Sequence, residues 1–215
     1  MNPTFRACLV SSLATALLAA CVPAARPPAA SEANFTQALQ AYLARRGDLC
    51  LGRSSWPVDV TQDEAAHGSR NALQLPVLER LGLVAASVVQ VDTGDEGARH
   101  PTQARRYQLT EAGRKFYLAR APYKRDPGHA VADHDFCAGR LTLQRVVRWD
   151  APSSQAVGAE TVVTYTYAVT PAPWATDPEA RRVFPMVDRV LRGAGALELK
   201  EAMVLTPEGW EAKEL

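Results

Sequence analysis

The spacing of apolar residues changes several times along the chain, and each spacing predicts an element. Residues 7–17 form a short apolar run behind Arg6, too brief to stay across a bilayer as a helix. Residues 22–33, with Pro23, Pro27, Pro28 and five alanines, carry too little apolar surface for a core and read as a tether. Asn34 is the expected N-cap of a helix, with Gln37 completing a relaxed capping box. Phe35, Ala38, Leu39, Tyr42 and Leu43 recur at helical spacing until Gly47, which ends it.

Beyond Leu49-Cys50-Leu51-Gly52, the stretch 56–60 reads as a short extended segment entering a polar turn. A helix is expected over 71–81, with Leu73, Val77, Leu78 and Leu81 on its apolar side and Pro76 in its first turn or kinking it. Residues 83–91 read as a strand, 92–103 as a polar loop and 105–109 as the returning strand. Thr110 opens a helix carrying Phe116, Tyr117 and Leu118, which Pro122 stops.

The second half starts near Tyr123. Alternation over 139–150, with a bulge or register change at Val146, and over 161–170 predicts an antiparallel hairpin joined by residues 152–158. Pro171 to Trp174 breaks the sheet. Asp177-Pro178 then caps a helix through Val183, Met186, Val187 and Val190 to Gly193, residues 197–205 form a strand, and Thr206 to Trp210 starts a final short helix.

Leu18-Ala19-Ala20-Cys21, at the end of the apolar run, resembles the lipobox of bacterial lipoproteins. That resemblance implies a signal peptide over 1–20, a diacylglyceryl thioether on Cys21 and an acylated new N-terminus (palmitate among the chains), followed by the tether over 21–33. Several acyl chains hold a protein on a membrane where one would not. Val22 stands where inner-membrane-retained members carry Asp, so the resemblance implies sorting to the outer membrane, with the domain facing the periplasm. The tether could lift it by roughly 40 Å.

If Cys8 leaves with the signal and Cys21 is acylated, the mature chain keeps only Cys50 and Cys137. In an oxidising compartment the simplest outcome is one disulfide, worth roughly 4.5 kcal/mol at most from loop closure. Two buried free thiols are the alternative. No Cys-x-x-Cys points to redox exchange.

Leu78-Glu79-Arg80-Leu81-Gly82-Leu83-Val84 and then Tyr107-Gln108-Leu109-Thr110-Glu111-Ala112-Gly113-Arg114 resemble the latter half of bacterial winged-helix repressors. The resemblance spans 73–117 and implies a recognition helix, a wing hairpin and a closing helix. The second half echoes the first in order. Cys50-Leu51-Gly52 matches Cys137-Ala138-Gly139, Leu75-Pro76-Val77-Leu78-Glu79-Arg80-Leu81 matches Phe184-Pro185-Met186-Val187-Asp188-Arg189-Val190, and Leu109-Thr110-Glu111-Ala112-Gly113 matches Leu205-Thr206-Pro207-Glu208-Gly209. The expected fold is therefore α+β: two small winged-helix-like modules, 34–122 and 123–215, related by internal duplication. Chance similarity of helix and strand punctuation is the competing explanation. Duplication would set a groove between the modules, the preferred binding site.

Composition narrows the function. A net charge of +1 over 215 residues argues against nucleic acid as the main partner. His129, Asp133, His134 and Asp135 could coordinate a divalent ion, but Asp126-Pro127-Gly128 places them in a connecting loop where polar residues are ordinary. His67 and His100 fall in turns without patterned partners. No nucleophile elbow or phosphate-binding glycine loop occurs, and Asp59, Asp63 and Glu64 lack a matching acid or base. Trp56, Trp149, Trp174 and Trp210 suit core packing better than a ligand groove.

The expected function is a lipid-anchored envelope protein, non-catalytic and without cofactor, that binds another envelope protein or a cell-wall component. A periplasmic metal-dependent enzyme built on His129, Asp133 and His134 is the first alternative. A DNA-binding winged helix is the second, disfavoured by an export signal and by an apolar recognition helix offering only Arg70 and Arg80 to phosphate.

Overall fold

The structure, a computed structural model, describes residues 28–95, 97–120 and 134–214. In chain order the elements are α1 (Glu32–Arg46), β1 (Asp48–Cys50), β2 (Val58–Thr61), α2 (Gln62–Ala66), α3 (Arg70–Arg80), β3 (Val84–Thr93), β4 (His100–Leu109), α4 (Glu111–Arg114) and β5 (Tyr117–Ala119). They continue with β6 (His134–Trp149), β7 (Glu160–Pro171), a 3-10 turn over Pro173–Thr176, α5 (Pro178–Val183), α6 (Pro185–Gly193), β8 (Glu198–Leu205) and β9 (Trp210–Ala212). The fold is α+β with antiparallel sheets. One sheet runs β1-β6-β7-β8-β9 with β5 also on β6, and the other runs β2-β4-β3.

Helix α1 buries Phe35, Ala38, Leu39 and Leu43, the face the spacing predicts. Its cap is Ser31 rather than Asn34: the Ser31 hydroxyl accepts from the Asn34 N–H, and the Asn34 side chain turns back to the Ala29 carbonyl. The helix thus takes in residues assigned to the tether. At its end, a Cβ on Gly47 would sit 2.4 Å from the Leu141 carbonyl oxygen, and the Leu141 N–H donates to the Gly47 carbonyl at 2.7 Å. Only glycine lets the helix end lie this close to β6.

The hairpin β6–β7 forms as expected, with two register shifts, between Leu143 and Arg145 and between Val146 and Arg148. Strand β6 begins earlier than the alternation indicates. His134 and Asp135, assigned to a connecting loop, lie in the strand and pair with Ala119 and Leu118 of β5. Residues 117–119 are therefore strand where helix was expected. After the single turn of α4, the Phe116 carbonyl is captured by the Cys137 N–H at 2.8 Å, and sheet pairing overrides local helix propensity.

The β3–β4 ladder runs without a break from Val84↔Leu109 to Thr93↔His100, through much of the stretch expected to be loop. Its far end gave no periodic signal because its residues are half-buried or exposed. Helix α3 is capped by the Ser69 hydroxyl and keeps Pro76 within its span. The single helix expected over 178–193 is two. Phe184 has φ −115° and ψ 67°, outside the helical region that a following proline disfavours. The expected closing helix at 206–210 is a turn: Thr206 and Gly209 exchange backbone hydrogen bonds, and Gly209 has φ 143°.

Two apolar clusters result. Leu75, Leu78, Val84 and Tyr107 pack with Phe136, Trp174, Phe184 and Val187 in one. Phe35, Leu39 and Leu43 of α1 pack with Val163, Tyr165, Met203, Leu205 and Trp210 in the other. Each cluster joins residues from both sides of the 122/123 boundary, which itself falls outside the described residues. All four tryptophans make ring contacts with core phenylalanines: Trp149 and Trp210 with Phe35, Trp56 and Trp174 with Phe136.

Glu201 is buried beside the second cluster. Burial raises its carboxyl above the usual glutamate value, opposed by the hydrogen bond from the Tyr42 hydroxyl. The folded state then holds a proton that the unfolded chain has already released, so this group's contribution to stability falls as pH rises from 4.5 toward the raised folded value. Glu201→Gln should flatten that decline in urea unfolding measured across a pH series. An unchanged slope would place the titration elsewhere.

Candidate functional site

Helix α3 faces the α5–α6 pair. At one end the Arg80 guanidinium binds Asp177 at 2.7 Å and Glu179 at 3.0 Å. Asp177 is held well engaged: its carboxylate also caps α5 through the Glu179 and Ala180 N–H groups, and those bonds, the Ala180 one foremost, lower its pKa. Midway, buried Gln74 donates Nε2 to the Val183 carbonyl at 3.0 Å. Beyond Gln74 a groove of about 600 Å³ lies between α3 and α6, with Leu49, Cys50 and Leu51 at its base.

The walls are mainly hydrocarbon, with Arg70 and Gln74 the polar side chains among the lining residues. Phe184 and Val187 are buried, whereas Leu73 on α3 is 57% exposed and Met186 on α6 is 65% exposed. Leu73 was expected on the apolar side of its helix, and instead it and Met186 stand on opposite walls of an open trough. Helix α6 is fixed from below, where the Tyr167 hydroxyl donates to the Val190 carbonyl at 3.0 Å.

The sulfurs of Cys50 and Cys137 are 2.02 Å apart, a disulfide across adjacent strands. A register shift between Leu49 and Cys50 brings the two residues opposite each other in the β1–β6 ladder. The bond fixes the groove's base to the central hairpin.

One end of the trough is cationic. Arg70, in the first turn of α3, donates to the Leu51 carbonyl at 3.0 Å. Arg53 donates Nη2 to Asn71 Oδ1 at 3.0 Å and to Gln74 Oε1 at 3.2 Å, and its guanidinium lies 5.7 Å from the Trp56 ring centre. Burial, and then the neighbouring Arg70 charge, lower the pKa of Arg53, while Asp135 acts in the opposite sense. Both oxygens of Asp135 are engaged by backbone, accepting from the Gly52 N–H at 3.1 Å and the Arg53 N–H at 2.7 Å. Arg53 and Arg70 also line a smaller cleft of about 270 Å³ with Gly52, Ser54 and Asn71, continuous with the apolar trough through Leu51 and Arg70.

Of the residues singled out in the sequence, Cys21, His129 and Asp133 lie outside the described residues. His134 is in β6, its ring stacked on Tyr117 with centres 5.2 Å apart, and among the described residues no three metal-ligating side chains cluster. Sequence reasoning did not single out Arg53, Leu73, Gln74 or Met186 as a site. The available signal was weak: an apolar residue at each helix's outer margin and two arginines with β2 and α2 between them.

No protein family, curated protein or solved structure matches the chain. No helix among the described residues is long and apolar enough to cross a membrane.

Proposed function

We propose that this chain is a lipid-anchored envelope protein, held on the outer membrane through Cys21, whose folded part is a non-catalytic binding module with the α3–α6 groove as its site. The observation that carries the site is the pair Leu73 and Met186, large apolar side chains exposed on facing walls. Exposed apolar surface gathered in a concave groove is the usual mark of a binding site. The disulfide favours an oxidising compartment, in keeping with the lipobox-like Leu18 to Cys21.

Within this reading β2, α2, α3, β3 and β4 form a winged-helix-like unit, and β6 to β9 with α5 and α6 its diverged duplicate. The order β2-β4-β3, with two helices between the first strand and the hairpin, supports the first part. Nucleic acid is not the partner in this reading. Arg80 is taken up by Asp177 and Glu179, Arg105 by Glu79 and Arg106 by Asp59, and α5 is clasped to α3, so few cations remain for phosphate.

The test is a photoreactive amino acid placed at position 73 or 186 of the full chain in living cells. Crosslinks to an envelope component are expected from these positions and not from exposed Val157, which lies in the β6–β7 loop. Crosslinking equal at all three positions would remove the groove from the account. Leu73→Ser with Met186→Ser should change unfolding free energy by less than about 1 kcal/mol, as substitutions at exposed positions do, while abolishing those crosslinks. A large loss of stability would mean that the two side chains serve the fold.

A further inference from the structure

The groove's two ends differ in chemistry, and the difference specifies a ligand. The walls of the trough are helices α3 and α6. They present Leu73, Pro185, Met186 and Val187 to the space between them. An aliphatic chain fits hydrocarbon walls of this kind, with Arg70 and Gln74 the polar side chains of the lining.

At the cationic end, Arg53 and Arg70 line one cleft, and the Arg70 charge disfavours that of Arg53. Neither makes an ion pair with a carboxylate among the described residues; their partners are the neutral oxygens of Leu51, Asn71 and Gln74. The Arg53 Nε is buried and has no hydrogen-bond partner there. Asp135 partly offsets the Arg53 charge from the backbone side, whereas the hydrogen bonds of Arg70 and of the Arg53 side chain go to neutral acceptors, and guanidinium is the side chain best suited to carboxylate or phosphate oxygens. The first turn of an eleven-residue helix adds its positive dipole end.

We propose that the groove binds a single-chain anionic amphiphile, its aliphatic chain lying between Leu73 and Met186 and its anionic head at Arg70 and Arg53. The inference rests on the binding-module reading and names its ligand class. The trough's volume lies within the range of small-molecule sites, and Gln74, bonded to both Arg53 and the Val183 carbonyl, ties the head site to the opposite wall. Arg70 is a contact residue for the head, whereas Arg53 acts from beneath it.

The test uses the full chain in its native membranes, exposed to a photoactivatable diazirine analogue of palmitate and, in parallel, to the alcohol of the same chain length. Labelled peptides are mapped by mass spectrometry. Label from the acid is expected on the peptides carrying Leu73 and Met186, with about ten-fold less from the alcohol, the ratio that follows from losing one charge-assisted contact. Arg70→Gln should lower acid labelling by a similar factor, Arg70→Lys should keep most of it, and Arg114→Gln, remote from the groove, should leave it unchanged. Equal labelling by acid and alcohol overturns the head assignment, and label absent from the groove peptides overturns the site. If position 73 crosslinks a protein in cells while the groove takes no lipid label, the amphiphile is wrong and the binding module stands. If neither is seen, both fall.

Discussion

Replacing Cys50 and Cys137 together by alanine is expected to lower the unfolding free energy by about 2–5 kcal/mol, read as a fall in the urea midpoint of the full chain. The bond closes a loop across a sequence separation of 87, so its removal frees a long segment of the unfolded chain. It also releases β1 from β6 on one side of the groove, since β1 contributes only three residues to the sheet. The single variants Cys50→Ala and Cys137→Ala should be at least as destabilised, each leaving one thiol in place of the bond. A double variant that unfolds at the wild-type midpoint would show that β1 is held by packing alone, and the groove's base would need another explanation.

Phe136→Ala is expected to cost about 3–5 kcal/mol, the range for a large buried aromatic. Phe136 is fully buried, with ring centres 6.0 Å from Trp56, 6.4 Å from Phe116 and 5.5 Å from Trp174. These partners come from the β1–β2 connection, the α4–β5 connection and the 3-10 turn after β7, three segments that could not close over the resulting cavity without moving together. Phe136→Leu, which keeps most of the volume, should lose well under half as much. Equal loss in both variants would point to a specific ring geometry rather than to filled volume.

Elements that carry their own local signal were legible in the sequence. The β6–β7 hairpin followed from alternation around Leu143, Tyr165 and Tyr167, and α5 from Asp177-Pro178, whose carboxylate accepts from the Glu179 and Ala180 N–H groups. Thr61-Gln62-Asp63-Glu64 also carried a signal and was read only as a turn, although it forms a complete capping box at the start of α2. Phe184-Pro185 resembled Leu75-Pro76, yet one pair breaks a helix and the other lies within one. The difference lies in what packs around each, which local sequence does not encode.

Expectations that depended on distant partners fared differently. Tyr117 became strand because β6 offered an edge, and Leu73 and Met186 became groove walls because each helix's neighbour stops short of covering it. Periodicity assigns a residue to a helix face; it does not say whether another element reaches that face. The same limit hid Arg53 and left Arg70 read only as a phosphate contact of a recognition helix, since the two come together only where the turn after β1 meets the start of α3. The expectation of a groove between the halves came from ordered sequence echoes, and the observed groove lies between α3 of the first half and α6 of the second, with the disulfide at its base.

The account depends most on the fate of three sulfurs, and one measurement reads them together: the intact mass and peptide map of the protein isolated from its native membrane without reduction. It predicts a chain beginning at Cys21 that carries a diacylglyceryl group and an N-linked acyl chain, with Cys50 and Cys137 recovered as one disulfide-linked peptide pair. A chain that retains Met1, with Cys21 unmodified and the other two cysteines recovered as free thiols, would contradict it.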